Sequence, residues 1–175
     1  MTGWRIDVEL PKIRGLALDV DGVLTDGTFW WGPGGEELKR FSFVDIMGVS
    51  RARKAGLIVA LISGEDNPLV DRYAQKFEIT DCFKGCKDKA AALREFAERR
   101  GLPLSEICFM GDDVNDLAAM AIAGFSAAPA NAHRAAREQA KLVMRHDGGL
   151  GAVRELVDLI LSRDEPPQPS RSSRP

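Results

Sequence analysis

Gly15-Leu16-Ala17-Leu18-Asp19-Val20-Asp21-Gly22-Val23-Leu24-Thr25-Asp26-Gly27 is an apolar run that empties into a turn rich in aspartate and glycine. Residues 15–20 predict a buried strand, with Asp19 and Asp21 standing where it ends. Open α/β sheets keep their ligands at the carboxyl ends of their strands. A second apolar run, Ile107-Cys108-Phe109-Met110, leads into Gly111-Asp112-Asp113-Val114-Asn115-Asp116, so two sets of carboxylates are expected at one sheet edge. Two anions about 4 Å apart repel by roughly 4 kcal/mol at an effective dielectric near 20. Such a cluster therefore calls for a divalent cation between the carboxylates, the more so if a phosphate dianion is to approach.

Outward from these two segments, apolar runs alternate with helical patterns. Ile58-Val59-Ala60-Leu61-Ile62 predicts a strand covered on both faces, and residues 125–127 predict another short one. Helices are expected over 68–77, 89–100 and 117–123; in the second, Leu93, Phe96 and Ala97 share a face and Gly101 supplies the C-cap. The alternation predicts a mainly parallel sheet with helices on both faces, a three-layer α/β sandwich. One stretch departs from it: Thr28-Phe29-Trp30-Trp31, Gly32-Pro33-Gly34-Gly35 and residues 36–43 predict a β-hairpin inserted after the first strand. Its aromatic residues suit either packing on the parent domain or an oligomer contact.

The chain has 175 residues, 45% of them hydrophobic and 29% charged, which fits a single domain with a real core. A net charge of −2 and an isoelectric point near 5.8 give no electrostatic footprint for nucleic acid or an anionic membrane. Without a membrane-length apolar run or a leader-like start, the expectation is a cytoplasmic protein. Cys82, Cys86 and Cys108 complete no zinc pattern and are expected to be reduced structural thiols. The domain is expected over 1–162. A disordered tail is expected over 163–175, where proline, serine and charge replace aliphatic residues.

Chemistry follows from residue types and places. Asp19 can attack phosphorus as a carboxylate nucleophile, and Asp21 can protonate the leaving alcohol and later deprotonate water. Ser63-Gly64, after the strand at 58–62, offers a hydroxyl and backbone N–H groups to a phosphate. Lys89 can neutralise phosphoryl oxygens and steady Asp19, although a lysine opening a helix is ordinarily a solvated surface residue. Asp112 can hold Mg²⁺ with Asp19, with Asp113 and Asp116 orienting the site from behind; Asp113 or Asn115 can also cap the helix that follows.

In this order, Asp-x-Asp-Gly, Ser-Gly, Lys and Gly-Asp-Asp-x-x-Asp, the chain resembles the haloacid dehalogenase superfamily of phosphatases. Leu24-Thr25-Asp26-Gly27, Glu36-Glu37-Leu38-Lys39 and Gly148-Gly149-Leu150-Gly151-Ala152-Val153-Arg154-Glu155 look like the capless branch acting on phosphorylated eight- and nine-carbon sugar acids. The resemblance spans about 13–161. It implies a Rossmann-like fold without a cap domain. It also implies Mg²⁺ held by Asp19, Asp112 and the backbone carbonyl of Asp21, and a homotetramer whose hairpins form a central barrel and whose neighbours close each site. Eight-carbon enzymes usually carry arginines at three places occupied here by Glu65, Val44-Asp45-Ile46 and Leu150. Glu65 and Lys76 resemble the pair used by phosphatases of nine-carbon acids, such as 2-keto-3-deoxy-nononate 9-phosphate and N-acylneuraminate 9-phosphate. The expected substrate is therefore a nine-carbon sugar-acid phosphate, contacted by Gly64, Glu65 and Lys76. The alternatives are 3-deoxy-D-manno-octulosonate 8-phosphate and, from another class, a non-catalytic oligomerisation module. Such a module would be expected to have lost one of Asp19, Asp21, Lys89 or Asp112, and all four are present.

Overall fold

The computed structural model describes residues 9–163; the tail expected over 163–175 lies outside them apart from Arg163, which caps the last helix. Six parallel strands form the sheet: β1 (Gly15–Leu18), β4 (Ile58–Ile62), β5 (Asp81–Phe83), β6 (Ile107–Met110), β7 (Phe125–Ala128) and β8 (Leu142–Val143), in the order β5-β4-β1-β6-β7-β8. The chain winds from β1 out to β5, then returns to β6 on the other side of β1. The crevice between the ends of β1 and β6 is thus the topological switch point, where this architecture places ligands.

Alternation along β1 divides the core in two. Leu16 and Leu18 join the cluster built with Val49, Val70, Leu156 and Ile160; Ala17 joins the opposite one with Leu93, Phe96, Phe109 and Met120. Three helices cover the first face: α1 (Phe43–Lys54), α2 (Pro68–Lys76) and α6 (Ala152–Ser162). Three cover the second: α3 (Lys89–Arg100), α4 (Leu117–Ile122) and α5 (Arg134–Gln139). Cap chemistry sets the ends. The Asp88 side chain accepts the Ala91 N–H at 3.0 Å to open α3, and Gly101 closes it in the left-handed region at φ 60°. No described helix is long and apolar enough to cross a membrane.

The hairpin is shorter than expected. Only β2 (Trp30–Trp31) and β3 (Glu37–Leu38) pair, with Trp30 opposite Leu38 and Trp31 opposite Glu37. Its second arm stops early because the Ser42 side chain accepts the Val44 N–H and begins α1 at Phe43. That helix gave no periodic signal because its buried positions are Asp45, Gly48, Val49 and Ala52 rather than an aliphatic stripe.

Candidate active site

Asp19 is an extension of the sheet. Its N–H donates to the Met110 carbonyl at 3.0 Å, so the strand-end carboxylate is held by the neighbouring strand. The chain then turns tightly, with the Leu24 and Thr25 N–H groups donating to the Val20 carbonyl at 2.9 and 3.1 Å. Thr25 is fully buried, and its hydroxyl accepts the Gly22 and Gly27 N–H groups at 3.3 and 3.2 Å. Gly22 sits at φ +86°, and a Cβ there would lie 2.0 Å from Asp112 Oδ2, so no other residue lets the two acidic loops approach. Gly148 and Gly149 seal the turn from outside: the Gly149 N–H donates to the Val23 carbonyl at 2.9 Å, and a Cβ on Gly148 would strike the Gly22 carbonyl at 1.7 Å.

Asp116 holds the opposite wall. One of its carboxylate oxygens accepts the Asp112 and Asp113 N–H groups at 2.9 and 3.1 Å; the other accepts Lys89 Nζ at 2.7 Å. Lys89, the first residue of α3, is buried, and its ammonium also meets Asp19 Oδ1 at 2.8 Å. Asp19, Asp112 and Asp116 each place a carboxylate oxygen within 4.8 Å of the others. With both Asp116 oxygens engaged, Asp19 and Asp112 are the side chains left to ligate a cation.

Burial pushes the Asp19 carboxyl well above the usual carboxylate range, against the pull of Lys89, and Asp116 and Asp112 push it further. Burial likewise raises Asp112 to about 6, partly offset by a hydrogen bond with Asp19. Burial pulls the Lys89 ammonium down, but Asp19 and Asp116 outweigh it and keep its pKa above the ordinary lysine value. One ammonium against three clustered carboxylates, two of them buried, leaves the site short of positive charge, and a divalent cation would supply it.

The other expected residues divide into two groups. Asp21 stands in the turn after β1: its Oδ1 accepts Lys39 Nζ at 2.8 Å, while its Oδ2 is buried without a partner. Ser63 is buried after β4, its Oγ accepting the Glu65 N–H at 3.1 Å, which leaves its hydroxyl proton for another acceptor. Gly64 neighbours the Asn115 amide, whose Nδ2 lies 3.5 Å from where a Gly64 Cβ would stand. Asp113 is exposed and caps the short turn 114–116 through the Val114 N–H at 2.7 Å. Glu65 is exposed two residues after Ser63, and Lys76 lies on the helix that follows. It ends α2, roughly 12 Å of helix further on at 1.5 Å per residue. There its ammonium lies 5.8 Å from the centre of the Phe77 ring, on a groove with Phe41 and Tyr73.

Two contributors carried no chemical signal of their own in the sequence. Lys39 is one; the alternation of an extended arm puts it on the same side as Glu37, which is the signal that could have found it. Asp45 is the other. Buried in α1, it accepts the Gly151 and Arg154 N–H groups at 3.0 and 3.1 Å, fixing the loop that carries Gly148 and Gly149.

Sheet, switch-point carboxylates and buried lysine define a phosphoryl-transfer hydrolase. A family model for haloacid dehalogenase-like hydrolases matches residues 36–155, and the chain belongs to this family. It is 39% identical over 150 residues to the 3-deoxy-D-manno-octulosonate 8-phosphate phosphatase KdsC of Escherichia coli K12, covering 86% of this chain and 80% of that protein. Among solved structures it resembles the Yersinia pestis phosphatase of the same name (TM-score 0.84, 39% identity, 86% of this chain and 81% of that one). It also resembles the Moraxella catarrhalis enzyme in complex with magnesium ion, phosphate ion and a KDO molecule (TM-score 0.83, 36% identity, 86% of each chain). The chain is therefore a phosphomonoesterase of this family, with no cap domain in evidence among the described residues, and the non-catalytic alternative is set aside.

Proposed function

We propose that this protein hydrolyses the terminal phosphate of 3-deoxy-D-manno-octulosonate 8-phosphate. The observation that carries this is the complete set of Asp19, Asp21, Lys89 and Asp112 around one crevice, in a chain similar over most of its length to phosphatases of that name. Asp19 attacks phosphorus, and the P–O bond to the sugar breaks as the aspartyl-phosphate forms. Asp21 gives its proton to the departing oxygen, then takes one from the water that releases inorganic phosphate. Ser63 Oγ and the nearby backbone N–H groups bind phosphoryl oxygens; Lys89 holds Asp19 and offsets charge. The donor set fits Mg²⁺, which Asp19, Asp112 and the Asp21 carbonyl would hold; when bound it shields the phosphoryl charge from the carboxylates.

This choice departs from the nine-carbon expectation. It rests on the relatives matched over most of the chain, which are named for the eight-carbon substrate. A nine-carbon substrate remains the second reading, favoured by exposed Glu65 and Leu150 where eight-carbon enzymes usually carry arginine. A kinetic panel separates the two. The eight-carbon phosphate is expected to exceed 2-keto-3-deoxy-nononate 9-phosphate and N-acylneuraminate 9-phosphate by about 10-fold or more in kcat/KM, since such selectivity needs only 1–3 kcal/mol of differential contact. A preference for either nine-carbon acid reverses the assignment.

Without a cap, water must be excluded by a neighbouring copy. The hairpin supplies a surface for one: Phe29, Trp30 and Trp31 are exposed, the last to 73%, and the rings of Phe29 and Trp31 lie 5.1 Å apart. We expect a homotetramer by sedimentation equilibrium, and Trp31→Asp to dissociate it. A fully active monomer contradicts this.

A further inference from the structure

The contact between Lys39 and Asp21 has no part in the mechanism above. Lys39 comes from the second arm of the hairpin, 18 positions from Asp21 in sequence, yet its side chain is only 5% exposed. Its ammonium donates to Asp21 Oδ1 at 2.8 Å and lies 3.4 Å from Glu37 Oε1. Glu37 Oε1 in turn accepts Asn67 Nδ2 at 2.6 Å, and Asn67 Oδ1 caps α2 through the Leu69 N–H at 2.9 Å. A continuous polar chain therefore runs from the aspartate turn, through the hairpin stem, to the helix that follows Ser63-Gly64-Glu65. Its Asp21 end is asymmetric: one oxygen is engaged, and the other is buried with no partner.

We propose that Lys39 is a positioning residue for the proton-transfer step, holding the Asp21 carboxyl in place through Oδ1. As the Asp19–phosphorus bond forms and the bond to the leaving oxygen breaks, a proton passes from the Asp21 carboxyl to the departing oxygen. Asp21 is left as a carboxylate beside Lys39. Glu37 keeps the ammonium from swinging away, and Asn67 fixes Glu37 to the loop that meets the substrate. The hairpin stem is thereby part of the acid–base apparatus, while its aromatic tip remains free for another surface.

The inference rests on Asp21 being the acid, and the test keeps the two apart. Phenyl phosphate and p-nitrophenyl phosphate bind through the same phosphoryl group, but only phenolate is a poor enough leaving group to need its proton during bond cleavage. Lys39→Met is expected to lose about 10- to 100-fold in kcat on phenyl phosphate, part of the 10²–10⁴ that general acid catalysis supplies, and several-fold less on p-nitrophenyl phosphate. Lys39→Arg should recover part of the difference between the substrates. Should Lys39→Met fail to fold, Glu37→Gln is expected to shift the same ratio in the same direction by a smaller factor. Equal losses on both substrates, or none on either, overturn the proposal if Asp21→Asn does discriminate between them. If Asp21→Asn does not discriminate, the assignment of the acid falls first, and the role of Lys39 falls with it.

Discussion

Asp19→Asn is expected to lose about 10⁴-fold or more of kcat with Mg²⁺ present, while folding as the parent does. Knocking out a covalent nucleophile removes the step on which every later one depends, so losses of that order are usual. The substitution is nearly isosteric, and its carbonyl oxygen can still accept Lys89 Nζ where Asp19 Oδ1 does now, at 2.8 Å. Its backbone N–H keeps the bond to the Met110 carbonyl. Electrostatics also favour the variant's fold. Burial holds the Asp19 carboxyl well above its ordinary pKa, which means that ionising it near neutral pH costs folding free energy. An amide has no such cost, so the thermal midpoint of the metal-free variant should equal or exceed that of the parent. Steady-state kinetics and thermal unfolding with and without Mg²⁺ check both halves. Activity within 10-fold of the parent would remove Asp19 from the covalent role.

How much of this was legible in the sequence depended on how far each feature was local. β1, β4, β6 and α3 show themselves in short windows, because each is buried or capped by residues close in sequence: Leu16-Ala17-Leu18 in one case, Asp88 and Gly101 in another. β5 and β8 have three and two residues, too few to show a period, and exist because they add to strands already in place. α1 hid behind Asp45 and Gly48, whose reasons for burial lie on α6: Asp45 caps its first turn, and a Cβ on Gly48 would come within 2.8 Å of the Arg154 backbone. α6 itself carries Val153, Leu156, Val157 and Ile160 at helical spacing, and was open to the periodicity test although not among the elements expected. The site divides along the same line. Loops that begin at strand ends announced Asp19, Asp21 and Asp112. Lys39 did not announce itself, since only the tertiary fold brings the hairpin arm back to the aspartate turn. Nor does sequence alone show that Lys76, at the end of α2, lines the groove that Lys39 also enters.

Lys89→Met is expected to be the most damaging change to the site as a whole, in stability as well as rate. Three clustered carboxylates against one ammonium leave a formal charge of −2, the complement of one divalent cation. Removing Lys89 takes this to −3 without removing any of the acids, so the cation no longer balances the site before substrate arrives. Breaking a buried ion pair from one side typically costs on the order of 3–5 kcal/mol, because the partner is left buried and unpaired. Here two partners are stranded at once, Asp19 and Asp116, and Asp116 also holds the Asp112 and Asp113 N–H groups in place. Methionine matches the aliphatic stem of lysine closely enough that packing around it changes little, so the loss reads as charge. The chain is expected to bind Mg²⁺ tighter but turn over phosphate esters about 10³-fold more slowly, since the charge that offsets the phosphoryl oxygens is gone. Low pH should return part of the stability: protonating Asp19 and Asp112, both already raised by burial, removes the stranded charge. Thermal unfolding of the variant and the parent between pH 5 and pH 8, without added metal, measures this, in the range around the value near 6 for Asp112. A difference between the two proteins that stays constant across that range would mean that Lys89 acts through packing and not through its charge.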